Sequence, residues 1–87
     1  MKLNSEFTIT TVMDEIIAIP VGNGIQLNGV LTINETMKDI MELLTEDRTE
    51  EELTMAMMGK YKNVTIDEMK SAVHDICLKL KNEGILS

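Results

Sequence analysis

The hydrophobic pattern of the chain changes about one third of the way along it. Before this point apolar residues alternate with polar ones, as in residues 7–13 (FTITTVM), which is typical of half-buried strands. After it they recur every three or four positions along one helix face: Ile33, Met37, Ile40, Met41 and Leu44. The sequence therefore predicts an α+β fold, in which helices follow a small antiparallel sheet and cover one of its faces.

Three strands are predicted before this change. Pro20 has no N–H to give to a sheet, so we expect the second strand to end near Ile19 or to expose that position. The Gly- and Asn-rich stretch after it reads as a loop, with a loose extension at Ile25 and Leu27. The predicted elements are strands at 7–13, 16–19 and 30–33, a turn at 14–15 and a loop at 21–29.

Three helices follow, and local capping patterns indicate where each begins. Asn34 can cap the first helix, which runs to about Leu44. Two Thr-x-x-Glu capping boxes, at 49–52 and 65–68, begin the second and third helices. Gly59 is expected to break the second helix after about Met58. The third is expected to run to about Glu83, with Gly84 as its C-cap and Ile85 and Leu86 folding back onto the core.

Composition and charge narrow the function classes. The 87 residues predict a single domain, 1–87, in which eight methionines replace most of the aromatic core volume. Residues 1–69 carry five Lys/Arg and thirteen Asp/Glu, a net charge of −8, whereas residues 70–87 carry three Lys and two acids, +1. This acidic field repels nucleic-acid phosphates. The single cysteine and the lack of a membrane-length apolar run predict a soluble cytoplasmic protein with no membrane partner.

The residues that carry chemistry do not form a catalytic or metal-binding pattern. His74 and Cys77 stand three positions apart, but the chain has no other Cys or His to complete a structural zinc site. Its serines lie in no nucleophile-turn context, and a lone histidine without placed partners does not make a triad. We therefore expect no catalytic residue, no metal and no cofactor.

The third helix has two faces of different character. Its core face is predicted to be a stripe at three- and four-residue spacing: Ile66, Met69, Val73, Ile76 and Leu80. Lys70, His74, Cys77 and Lys81 lie on the flank between that stripe and Leu78. The flank is either the wall of a binding groove or ordinary surface, since single exposed leucines are common.

Three segments, taken in order, resemble the PqqD family of RiPP recognition elements. They are LTINET (31–36), LLTEDRTEEEL (43–53) and KYKNVTIDEMKSAVHDICLKLKNEGIL (60–86), and the resemblance covers residues 7–86. The first segment is similar to the family's turn from strand to helix. The second is similar to its short polar turn and the helix that begins with Thr-Glu-Glu. The third is similar to its tyrosine, the short link after it and the long last helix. Many relatives carry an aromatic residue near the positions of Ile40 and Met41, which this chain lacks.

This resemblance implies a winged helix-turn-helix-like fold that binds a peptide rather than DNA. It implies a non-catalytic protein that takes the leader of a ribosomally synthesised precursor peptide as an added strand, in a groove bordered by the third helix. It also implies presentation of that peptide to a modifying enzyme of the radical-SAM type. The expected peptide-binding residues are Val30, Leu31, Thr32 and Ile33 on the strand, and Lys70, Val73, His74, Cys77, Leu78 and Lys81 on the helix.

Three other functions are alternatives to be weighed for a small acidic chain of this kind. A winged-helix DNA-binding regulator shares the fold class, but its recognition helix is expected to be basic. An acyl-carrier-like protein needs a serine at a helix start, whereas Ser71 lies within the predicted third helix. The third alternative is a partner-docking subunit with no peptide ligand, in which exposed Met55 and Met58 contact an enzyme.

Overall fold

The computed structural model describes residues 1–21 and 31–87. Three strands form one antiparallel sheet in the order β1-β2-β3, and three helices follow, which confirms the predicted α+β fold. The elements are β1 (Glu6–Val12), β2 (Glu15–Val21), β3 (Leu31–Ile33), α1 (Glu35–Leu43), α2 (Glu50–Lys60) and α3 (Ile66–Asn82). Residues 22–29 of the predicted loop, with Ile25 and Leu27, and Val30 of the predicted third strand lie outside the described residues.

The turn between β1 and β2 lies one residue earlier than predicted. Val12 pairs with Glu15, so the loop consists of Met13 and Asp14, with φ of 50° and 68°. Two-residue loops with positive φ at both positions match the twist of the flanking strands. The prediction that Met13 ends the first strand is therefore wrong, and its side chain is 92% exposed in the turn.

Pro20 lies within β2, and the strand continues to Val21. Val12 and Glu15 close the two-residue hairpin loop, and such a closing pair exchanges two backbone hydrogen bonds. Further along the two strands, hydrogen-bonded pairs alternate with pairs that are not hydrogen-bonded. Phe7 and Pro20 consequently form a non-bonded pair, in which β1 needs no N–H from position 20. Of the two expectations for Pro20, an end of the strand near Ile19 is wrong for this reason; on the side away from β1, no described residue pairs with Pro20.

The core lies between one face of the sheet and the three helices. Ala18 and Ile33 are buried on that face, while Thr8, Thr10 and Ile19 are exposed on the other. The largest fully buried side chains come from the helices and, in the case of Leu44, from the C-cap of α1: Ile40, Met41, Leu44, Leu53, Met57, Val73, Cys77 and Leu80.

Helix starts follow the predicted caps. Asn34 Oδ1 accepts a hydrogen bond from the Met37 N–H at 2.8 Å, and both capping boxes are formed. The end of α2 differs, because the helix passes through Gly59 to Lys60. A glycine lowers helix stability by about 1 kcal/mol relative to alanine without having to end the helix.

The two ends of the described chain meet. Leu3 pairs with Leu86 in an antiparallel bridge, and the Asn4 N–H donates to the Ile85 carbonyl at 3.0 Å. Ile85 and Leu86 are buried, which confirms that they fold back onto the core. The pairing between residues 2–4 and 85–87 has no signal in the sequence pattern.

Candidate functional site

The edge of the sheet at β3 offers backbone groups for pairing. In β2, Glu15 and Ile17 turn their N–H and C=O toward β1, so Ile16 and Ala18 turn theirs toward β3. Ile16 pairs with Ile33, and Ala18 pairs with Leu31. These are the bonded pairs, and the N–H and C=O of Thr32 between them point away from the sheet. Among the described residues, no backbone bond joins Thr32 to another segment.

The side chains of β3 hold this edge in place. Ile33 is buried and Leu31 is packed against the core, so both anchor the strand from its inner side. Thr32 is exposed on the outer face, beside Ile17. Because α1 begins directly after the Asn34 cap, the chain leaves the strand without a loop that could cover the edge.

The buried stripe of α3 differs from the prediction at three positions. It consists of Met69, Val73, Cys77 and Leu80, whereas Ile66 is 49% exposed and Ile76 is half-buried. Cys77, predicted on the flank, is therefore a core residue. Burial raises the pKa of its thiol to about 11, and the Glu50 carboxylate acts in the same direction. The thiol stays protonated at neutral pH and is closed to solvent.

Lys70 and His74 face the start of α2. His74 Nδ1 lies 3.1 Å from Glu50 Oε1, and both residues line a shallow groove of about 470 Å³ between α2 and α3. The carboxylates in the first turn of α2, from Glu50, Glu51 and Glu52, attract such basic side chains. These two residues therefore border α2, and no hydrogen bond or ion pair within the described residues links them to the edge of β3.

Leu78 and Lys81 lie on the exposed side of α3. Leu78 is 49% exposed, which confirms the prediction that it lies outside the core. The six helix residues in the predicted set thus fall into three environments: two are buried, two border α2 and two face solvent. They do not form one continuous wall, and a peptide-binding role for the exposed ones stays a prediction.

A polar contact that the sequence does not predict joins α1 to the end of α2. The Tyr61 hydroxyl donates a hydrogen bond to Asp39 Oδ2 at 2.5 Å, and Lys60 Nζ lies 3.7 Å from Asp39 Oδ1. The hydrogen bond to Asp39 raises the pKa of Tyr61, and partial burial adds to this effect. The contact orients α1, the helix that continues from β3.

Two further findings concern metal ions and membranes. Within residues 1–21 and 31–87, no group of three or more His, Cys, Asp or Glu side chains could hold a metal ion. None of the helices in the described part of the chain is both long and apolar enough to cross a membrane.

Comparison with known proteins shows one similar fold. No protein-family model matches the chain, and no curated protein matches it. A solved structure described as "TbiB1 in Complex with the TbiA(beta) Leader Peptide" is similar, with a TM-score of 0.72 and 21% sequence identity. The similarity covers 100% of this chain and 95% of that chain. The two chains therefore share the arrangement of a three-stranded sheet and three helices.

Proposed function

We propose that this chain is a non-catalytic protein that binds the leader of a ribosomally synthesised precursor peptide as an added strand on β3. The observation that carries the proposal is the open edge at Thr32, whose N–H and C=O point away from β2. Unpaired edge groups of this kind are the usual acceptors for an extended peptide. The similar solved structure, which holds a leader peptide, supports the same ligand class.

The bound leader pairs with Thr32 through backbone bonds, while its alternate side chains contact the protein on either side of the sheet. Backbone pairing is independent of sequence, so selectivity comes from the side chains that border the edge. The exposed Leu78 and Lys81 of α3 belong to this proposed border. Lys81 favours an acidic leader residue.

We propose that the chain presents the bound leader to a modifying enzyme and does not itself react with it. The buried, protonated Cys77 thiol is unsuited to nucleophilic attack, and within the described residues the His74 ring is hydrogen-bonded to Glu50 and to no hydroxyl or thiol. Holding the leader extended leaves the rest of the precursor free to reach another protein. By the resemblance to the PqqD family, we propose a radical-SAM enzyme as that protein.

The variant Thr32→Pro tests the proposal, because proline removes the outward N–H of Thr32 without removing a bond to β2. The probe is a synthetic peptide covering the N-terminal segment of a short precursor encoded beside this gene. One lost hydrogen bond is worth about 1 kcal/mol, so we expect the Kd measured by calorimetric titration to rise at least about five-fold.

Two control variants separate backbone pairing from other effects. Thr32→Val keeps the N–H and the strand propensity, and should leave the Kd within about two-fold. Thr11→Pro removes an outward N–H at the opposite edge of the sheet and should leave the Kd unchanged. Circular dichroism checks that each variant is folded. Unchanged binding by a folded Thr32→Pro variant would show that the leader does not pair with this edge.

A further inference from the structure

The opposite edge of the sheet is also open. In β1 the bonded partners of β2 are Glu6, Thr8, Thr10 and Val12, so Phe7, Ile9 and Thr11 turn their N–H and C=O outward. No backbone bond joins these three residues to another described segment. The edge of β1 therefore offers three outward-facing pairs of N–H and C=O groups, one from each of these alternate residues.

A groove runs beside this edge, between β1 and the end of α1. It has a volume of about 570 Å³, and Phe7, Ile9 and Met41 form part of its apolar lining. A strand that pairs with β1 directs every second side chain toward the inner face of the sheet. Those side chains would lie over this groove, so the edge and the groove together form one candidate site.

The charged residues that line this groove, called the edge groove below, are mostly acidic. Glu6 and Glu42 line it, and neither carboxylate has an ion pair within the described part of the chain. Lys2 also lines the groove, and its ammonium likewise has no ion pair within the described part of the chain. The lining therefore carries two carboxylates and one ammonium, an excess of negative charge that favours a basic incoming chain.

The sequence of β1 indicates that its edge binds another chain, because the strand lacks the features that normally protect an exposed edge. Exposed edge strands are normally protected by lysine, proline or a bulge, and β1 (EFTITTV) has seven residues without lysine or proline and pairs without a bulge. A second copy is a poor match, because it carries the same net charge of −7 and brings its own Glu6 to the site. A basic chain meets the carboxylates with opposite charge.

We infer that the β1 edge is a second strand-addition site, which binds a basic, extended segment of a partner protein. Isoleucine-like side chains of that segment enter the edge groove, and its lysine or arginine residues pair with Glu6 and Glu42. The site is separate from the proposed leader edge by the width of the sheet, about 10 Å for two strand spacings. The leader and the partner segment can therefore bind at the same time.

The test uses the complete chain and a fluorescein-labelled seven-residue peptide of alternating isoleucine and threonine with a lysine at each end. Fluorescence anisotropy at 150 mM salt measures its Kd. A peptide with glutamate at each end should bind at least about ten-fold more weakly, and a version with N-methylated isoleucines should not bind measurably, because it cannot pair with a strand.

Variants locate the peptide on the protein. Glu42→Gln removes one carboxylate, and Thr11→Pro removes one outward N–H; each should raise the Kd about five-fold. Thr32→Pro at the other edge should leave the Kd within about two-fold. Equal binding of the lysine- and glutamate-ended peptides, or unchanged binding by folded Glu42→Gln and Thr11→Pro variants, would overturn the inference. So would sedimentation data showing a dimer that Thr11→Pro dissociates, since the edge would then bind a second copy.

Discussion

At the scale of single residues, Val73 and Leu78 on α3 occupy opposite environments, 0% and 49% exposed. Val73→Ala removes two buried methyl groups and leaves a small cavity, so we expect a loss of about 1–3 kcal/mol in the free energy of unfolding. Leu78→Ala should change it by less than about 0.5 kcal/mol, because its side chain lies outside the core. Urea unfolding followed by circular dichroism measures both values.

The same Leu78→Ala variant tests the proposed border of the leader site. If Leu78 packs against the leader, its truncation should raise the Kd about five- to thirty-fold, which corresponds to about 1–2 kcal/mol of buried apolar contact. Calorimetric titration on the same samples gives this value. An unchanged Kd together with unchanged stability would make Leu78 an ordinary exposed leucine.

The periodicity of α3 predicts most of its core residues but not the limits of the buried stripe. Met69, Val73 and Leu80 are correctly predicted because they lie near the centre of the apolar arc. Cys77 lies at the margin of that arc, where burial depends on how α2 packs, and a single helix contains no information on its neighbour. Ile66 is at a core angle, but as the first residue of α3 it extends past the packed part of the helix.

At the scale of elements, Gly59 lies inside α2 at a position where a side chain meets no neighbouring atom within 4 Å. Gly59→Ala should therefore stabilise the protein by about 0.5–1 kcal/mol, because alanine loses less backbone entropy on folding into a helix. Thermal unfolding followed by circular dichroism measures this gain. Gly84→Ala is the matched control: its φ of +77° disfavours alanine, so this variant should lose stability. A loss of stability in Gly59→Ala would contradict the helical assignment through residue 60.

Helix starts are predictable here because their capping bonds are local. Thr49 with Glu52 and Thr65 with Glu68 need only the backbone between them, so the sequence pattern contains the whole interaction. Strand limits depend on the partner strand. The position of the hairpin turn, and the tolerance of Pro20, follow from which pairs exchange hydrogen bonds, and that alternation is fixed only when two strands meet.

At the scale of the whole molecule, the sheet has a central strand and, within residues 1–21 and 31–87, two open edges. The resemblance of the sequence to a peptide-binding family implies the edge at β3, where the helix follows the strand directly. It does not imply the edge at β1, because the groove there requires Met41 and Glu42 of α1 to lie beside Phe7 and Ile9. Residues more than thirty positions apart form that surface, which no local pattern predicts.

Net charge also acts at this scale, and it separates the proposed function from that of a DNA-binding regulator. Three lysines and three acids give α3 a net charge of zero, and the chain carries −7. DNA affinity comes largely from phosphate neutralisation, so we expect no retardation of double-stranded DNA at 150 mM salt and up to about 100 µM protein. A control protein with a basic recognition helix should bind under the same conditions and lose affinity as salt rises. A Kd between about 10⁻⁴ and 10⁻⁶ M, weakened by Lys79→Ala, would instead favour the regulator, because that range is ordinary for non-specific DNA binding through a basic helix.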